Sequence, residues 1–127
     1  MENVTNGEVP PESHDELRHA LMLIAGKWKL EILWLLHHRI HRFGELKRSI
    51  PRMSQHMLTH QLRELEEDGL ITRTVYAEVP PRVEYAMTDA TKALEPTIAS
   101  LLRWWREHGK EASKDKKKRQ PNRPRQS

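Results

Sequence analysis

Gln55, His56, Thr59, His60 and Arg63 fall on one side of a stretch whose other side carries Leu58, Leu62 and Leu65. At about 100° per residue the leucines point together, with Gln61 near their edge, while His56, Thr59, His60 and Arg63 point away from them. Gln55 lies between the two faces, near the start of the stretch. These side chains hydrogen bond rather than react. Glutamine can pair its amide with adenine, threonine can bond a base edge or touch a thymine methyl, and arginine can pair with guanine or hold a phosphate. Ser54 stands where a helix N-cap belongs, and the unpaired amides of a helix N-terminus favour phosphate.

The chemistry of catalysis is missing by contrast. No nucleophile–base arrangement, phosphate loop or HExxH occurs, so no enzyme activity is expected. His56 and His60 are four apart and could share a metal in principle. No third ligand completes a set near them, and His37, His38 and His41 cluster elsewhere, so neither a metal site nor another cofactor is expected. The histidines are better suited to contact DNA or solvent.

The elements around this stretch must present it to a partner. Residues 1–12 carry Pro10 and Pro11 and little apolar pattern, which predicts an extended or disordered arm. Leu17, Ala20, Leu21 and Ile24 predict a helix over 13–24; Trp28, Ile32, Leu35 and Leu36 predict a second over 27–37, with Leu33 and Trp34 widening its apolar face. Phe43, Leu46 and Ile50 mark a short third helix that Pro51 ends. The fourth is capped by Ser54, runs to Asp68 and closes at Gly69. It is roughly 20 Å long, enough to lie in a groove. Its acidic end, Glu64, Glu66, Glu67 and Asp68, should point away from a duplex.

Ile71 to Glu78 and Val83 to Met87 read as the two strands of a hairpin, with Pro80 and Pro81 in its loop. Arg82, near the tip, is a candidate minor-groove or phosphate contact. Arg73 could either contact DNA or pair with Glu84 across the hairpin. Arg42, Lys47, Arg48 and Arg52 surround the turn as candidate backbone contacts. A last helix follows Thr88 or Asp89 through Leu94, Ile98, Leu101, Leu102 and Trp105, with Pro96 kinking it or marking a later start, and Gly109 stopping it. The expected fold is therefore mainly alpha with a small two-stranded hairpin, an order of elements that can place one helix in a DNA major groove. It occupies residues 13–109, and residues 110–127 form a basic tail read as disordered.

Charge and composition fit that division. The first 20 residues carry five acids and one base, residues 21–109 eleven acids and thirteen bases, and residues 110–127 two acids and eight bases. The central domain is thus only mildly basic, and the basic tail could add phosphate contacts or act as a solubilising end. The sequence holds no cysteine, which removes disulfides, thiolate ligands and thiol switching. No long apolar run or signal pattern is present, so no membrane association and a cytoplasmic location are expected.

Three segments, GKWKLEILWLL, RFGELKRSIPRMSQHMLTHQLRELEEDGLITRTVY and VPPRVEYAMT, occur in that order, and they resemble the HxlR-type family of bacterial winged helix-turn-helix transcriptional regulators. The resemblance runs from Leu21 to Leu102. It implies a homodimer on a palindromic double-stranded DNA operator, with the helix from Ser54 to Asp68 in the major groove and the loop at Pro80–Arg82 as the wing. It places the dimer interface on the first and last helices, hence Leu17, Leu21, Leu94, Ile98, Leu101, Leu102, Trp104 and Trp105. The adjacent tryptophans agree, since one small domain struggles to bury both. The same tryptophans could line a cleft for an unidentified small-molecule effector, or pack inside one subunit against Trp28 or Trp34. Two departures stand out: the cysteine that many members carry near the start of the domain is absent, with His19 and Ala20 in that neighbourhood, and MTDATKAL lacks the glycine often found there. The competing reading is a winged-helix module that binds protein without sequence-specific DNA recognition; Arg63, Arg82 and the polar outer face argue against it.

Overall fold

The computed structural model describes residues 9–112. The remainder of the N-terminal arm and the tail from residue 113 lie outside the described residues. The chain forms two compact units, one ending at Asp89 and the other beginning at Ala90.

In the first unit, Pro11–Ser13 make a 3-10 turn that leads into α1 (His14–Ile24), so the extended arm ends two residues earlier than its composition suggests. Then come α2 (Lys29–His38), β1 (His41–Arg42), α3 (Phe43–Ser49), α4 (Gln55–Glu67), β2 (Ile71–Tyr76) and β3 (Arg82–Met87). The predicted two-stranded hairpin is a three-stranded antiparallel sheet in the order β1-β3-β2. β1 pairs His41 with Tyr85 and Arg42 with Glu84. Two residues are too short to show a period, so this strand leaves no pattern in the sequence. In β2 and β3, Ile71 faces Met87 and Tyr76 faces Arg82 across the ladder.

The core lies where these elements meet. Ile32 of α2, Leu46 of α3, Met53 of the following turn, Leu58, Leu62 and Leu65 of α4, and Ile71 of β2 are almost fully enclosed. Trp28, Leu33, Leu36, Ile50, Leu70 and Tyr85 complete it, with Ile24, Leu35, Phe43, Val83 and Met87 partly buried against it. Enclosing each such leucine stabilises the fold by about 1.5–3 kcal/mol, and three from α4 fix how that helix is rotated. The wide apolar face expected of α2 is only partly used: Leu33 is buried, whereas Trp34 is 53% exposed and stacks near His37 and His38.

The second unit contains α6 (Glu95–Trp104), after the short α5 (Asp89–Lys92) that bridges into it. Pro96 sits in the first turn of α6, so it marks a start rather than a kink. Gly109 does not stop the helix. A π-helical turn spans Trp105–Gly109, and helical backbone continues to residue 112. The glycine has a different use here: a β-carbon at position 109 would lie 1.9 Å from the Trp105 ring. Only hydrogen leaves room for the indole.

Candidate nucleic-acid interface

α4 is defined at both ends by its own sequence. The Met57 N–H donates to the Ser54 hydroxyl at 3.0 Å, capping the start. At the other end the Gly69 N–H reaches the Glu66 carbonyl at 3.0 Å and the Leu70 N–H reaches Leu65 at 2.9 Å, with Gly69 at φ 78°. With Leu58, Leu62 and Leu65 enclosed, Ser54, Gln55, His56, His60 and Arg63 are exposed and Thr59 is half-buried. The helical-wheel division of faces therefore matches the observed burial.

The outer face of α4 is one wall of a groove. Gln55, Thr59, Leu62, Arg63 and Glu66 line it, with Phe43 from α3, Arg73 from β2 and Tyr85 from β3 opposite or beneath, around a volume of about 550 Å³. Phe43, Leu62 and Tyr85 supply an apolar floor; the two arginines, an amide and a hydroxyl supply the rim. Sequence reasoning missed the floor because Phe43 and Tyr85 reach the groove through long-range packing. Glu66 stands apart from the other acids of its run. Its partners in the acidic run do lie elsewhere, but Glu66 itself lines the groove. Neither Arg63 nor Arg73 makes an ion pair among the described residues. His56 and His60 lie outside this groove, and His60 Nε2 stands 3.2 Å from Glu64.

Glu64 is held from behind. Lys29 of α2 approaches it at 3.1 Å, and that hydrogen bond, more than any other influence, keeps its carboxyl below the usual carboxylate range. One acid of the α4 run is thereby neutralised by the scaffold.

The charge of the wing is balanced within the hairpin. Arg82 donates through Nη1 to Glu84 at 2.6 Å and through Nη2 to Glu78 at 2.8 Å, and its guanidinium lies 3.9 Å from the Tyr76 ring centre. The hydrogen bond with Glu78 leads in lowering that carboxyl's pKa and in raising the arginine's. The lone wing cation is thus already matched by two carboxylates. Arg73 does not pair with Glu84: the register sets Arg73 opposite Tyr85 and Thr74 opposite Glu84. Val79, Pro80 and Pro81 form the exposed loop.

The remaining candidates are dispersed around the turn. Arg42 is exposed, and its backbone N–H donates to Glu45 at 2.8 Å, which is the main reason that carboxyl is lowered. Lys47 is half-buried, and Arg48 and Arg52 are exposed. Of the interface candidates, Leu17 and Leu21 on α1 are about half exposed, as are Leu101, Trp104 and Trp105 on the last helical segment; Leu102 is somewhat less so, and Leu94 and Ile98 are half-buried. Among the described residues, no cluster of three His, Cys, Asp or Glu could hold a metal, and no helix is long and apolar enough to cross a membrane.

Comparison with known proteins agrees with this arrangement. The HxlR-like helix-turn-helix family profile matches residues 23–113. An uncharacterized HTH-type transcriptional regulator of Methanothermobacter thermautotrophicus is 49% identical over 86 residues, covering 68% of this chain and 66% of that one. The crystal structure of the HTH-type transcriptional regulator ytcD is similar at TM-score 0.69 and 47% identity, covering 72% of this chain and 94% of that one. The redox regulator HypR in its reduced form is similar at TM-score 0.72 and 37% identity, covering 78% and 98%. A three-stranded sheet behind a capped, leucine-anchored α4 is the winged form of the helix-turn-helix, and the chain belongs to the HxlR-like helix-turn-helix family of DNA-binding transcriptional regulators.

Proposed function

We propose that the chain acts as a homodimer that reads a palindromic operator, each subunit inserting the N-terminal half of α4 into the major groove. The observation that carries this reading is the groove along α4, where Gln55, Thr59, Arg63 and Arg73 surround an apolar floor and neither arginine has an ion-pair partner among the described residues. In this reading Gln55 and Thr59 meet base edges, Arg63 and Arg73 meet phosphate or guanine, and Arg42, Lys47, Arg48 and Arg52 hold the flanking backbone. Arg82 reaches DNA by exchanging Glu78 for a phosphate.

Dimerisation is supported by apolar surface that one subunit leaves uncovered: Leu17 and Leu21 on α1, and Leu101, Trp104 and Trp105 on the last helical segment. Two subunits would match half-sites about 34 Å apart. Because the sequence lacks cysteine, any signal this regulator receives acts without a thiol. A small-molecule effector is therefore the form of control to look for.

Selection of bound duplexes from a random pool tests the reading. A two-fold symmetric site should emerge, Gln55→Ala should alter base preference within each half, and Leu101→Glu should give monomers by sedimentation with weakened operator binding. Recovery of unselected duplexes only, with no symmetric site, would overturn it.

A further inference from the structure

Lys27 and Arg52 come from different elements and meet on one aromatic ring. Lys27 lies in the turn before α2, and its ammonium is 5.0 Å from the centre of the Trp28 ring. Arg52 lies in the turn between α3 and α4, two residues before the Ser54 cap, and its guanidinium is 5.9 Å from the same ring. Trp28 is 6% exposed and belongs to the core, so the platform is fixed. Its indole nitrogen is buried with no hydrogen-bond partner among the described residues, and no side chain caps the N-terminus of α2 at this residue.

The neighbouring lysine gives a contrast within four residues. Lys29 is largely enclosed and tied to Glu64 at 3.1 Å, a use within the fold. Lys27 and Arg52 are both exposed, and neither meets a carboxylate among the described residues. Both cations are exposed, so each gains only about 0.5–1 kcal/mol from the ring, and neither is neutralised by a carboxylate among the described residues. The arrangement is completed by an anion from outside. Arg52 lies three residues before Gln55, so its guanidinium stands near the start of the helix proposed to meet DNA.

We propose that Lys27 and Arg52, positioned by Trp28, form a phosphate clamp for the duplex backbone, separate from the α4 groove and the wing. This rests on the DNA-binding function proposed above and adds Lys27 to it. The contact is to backbone, so it strengthens binding to every sequence and sets register rather than base preference.

The test is duplex affinity measured from about 50 to 200 mM salt, where each neutralised phosphate contributes about −0.9 to the log–log slope. Lys27→Gln and Arg52→Gln should each make the slope shallower by about one, which makes the affinity lost over that range about 3.5-fold smaller. Both should leave the preferred half-site and the unfolding midpoint unchanged. Lys27→Arg should restore the slope. Lys29→Gln should show the opposite signature, a lower unfolding midpoint with the slope retained. A steep wild-type slope shared by Lys27→Gln overturns the clamp and leaves the α4 reading standing. Absence of salt-dependent duplex binding by the wild-type chain overturns the DNA reading and the clamp together.

Discussion

Ser54 has two separable jobs, and substitutions there can tell them apart. Its hydroxyl accepts the Met57 N–H at 3.0 Å and closes the first turn of α4. Removing a side-chain cap of this kind costs about 1 kcal/mol. In a domain of 60–100 residues that corresponds to a fall of about 4–8 °C in melting temperature. Ser54→Ala should therefore lose about that much. Ser54→Asp should not, because a carboxylate caps equally well and is favoured by the helix dipole. The order reverses for DNA. Ser54→Ala leaves the charge at the helix start unchanged and should bind nearly as well as the wild type below its melting range. Ser54→Asp puts a negative charge where a phosphate approaches, so it should bind all duplexes more weakly, most of all at low salt. Thermal unfolding and fluorescence-anisotropy titrations over a salt series measure the two effects. If alanine and aspartate destabilise alike, the capping bond is not what holds this turn. If aspartate binds duplex as tightly as serine at low salt, the start of α4 does not face the backbone and the interface is misplaced.

Other expectations follow from the same geometry. Leu62→Ala should cost about 2–5 kcal/mol by urea unfolding, since Leu62 is enclosed and also floors the groove. Glu78→Gln should tighten binding to specific and scrambled duplexes by the same factor, because Arg82 gives up one carboxylate before it meets DNA; no change would show that Arg82 stays within the wing. The carboxyls of Glu45, Glu64 and Glu78 are held below their ordinary value of 4.5 by Arg42's backbone N–H, Lys29 and Arg82 respectively. Folding therefore lowers their proton affinity, so their contribution is fully present above pH 4.5 and disappears as pH falls through the lower folded values. Urea midpoints should decline on that acid limb, and Lys29→Met should flatten the decline.

How much of this was legible in the sequence depends on the range of the interaction. The leucine stripe, the Ser54 cap and the Gly69 terminus of α4 are local, each decided within about one helical turn, and all three stand as expected. Pairing partners were harder. Arg73 and Glu84 could be set against each other only by knowing the register, and the ladder is displaced by one residue from the one they require. The Arg82–Glu84 pair was within reach, since residues two apart on a strand share a face. The groove was not legible, because Phe43, Arg73 and Tyr85 come to α4 through tertiary packing. Gly109 shows the reverse error. A glycine after an amphipathic run ordinarily ends a helix, but here it makes space for a ring four residues back.

That close approach also constrains how the chain can change over generations. Trp105 and Gly109 are not independent positions, because a methyl at 109 and an indole at 105 cannot occupy the same space. A lineage that first replaces Trp105 by a small residue opens position 109 to alanine. A lineage that takes the two steps in the other order must first displace the indole. The accessible route is thus directional, and the residue that looks least specified at the end of this helix is held in place by one of the largest.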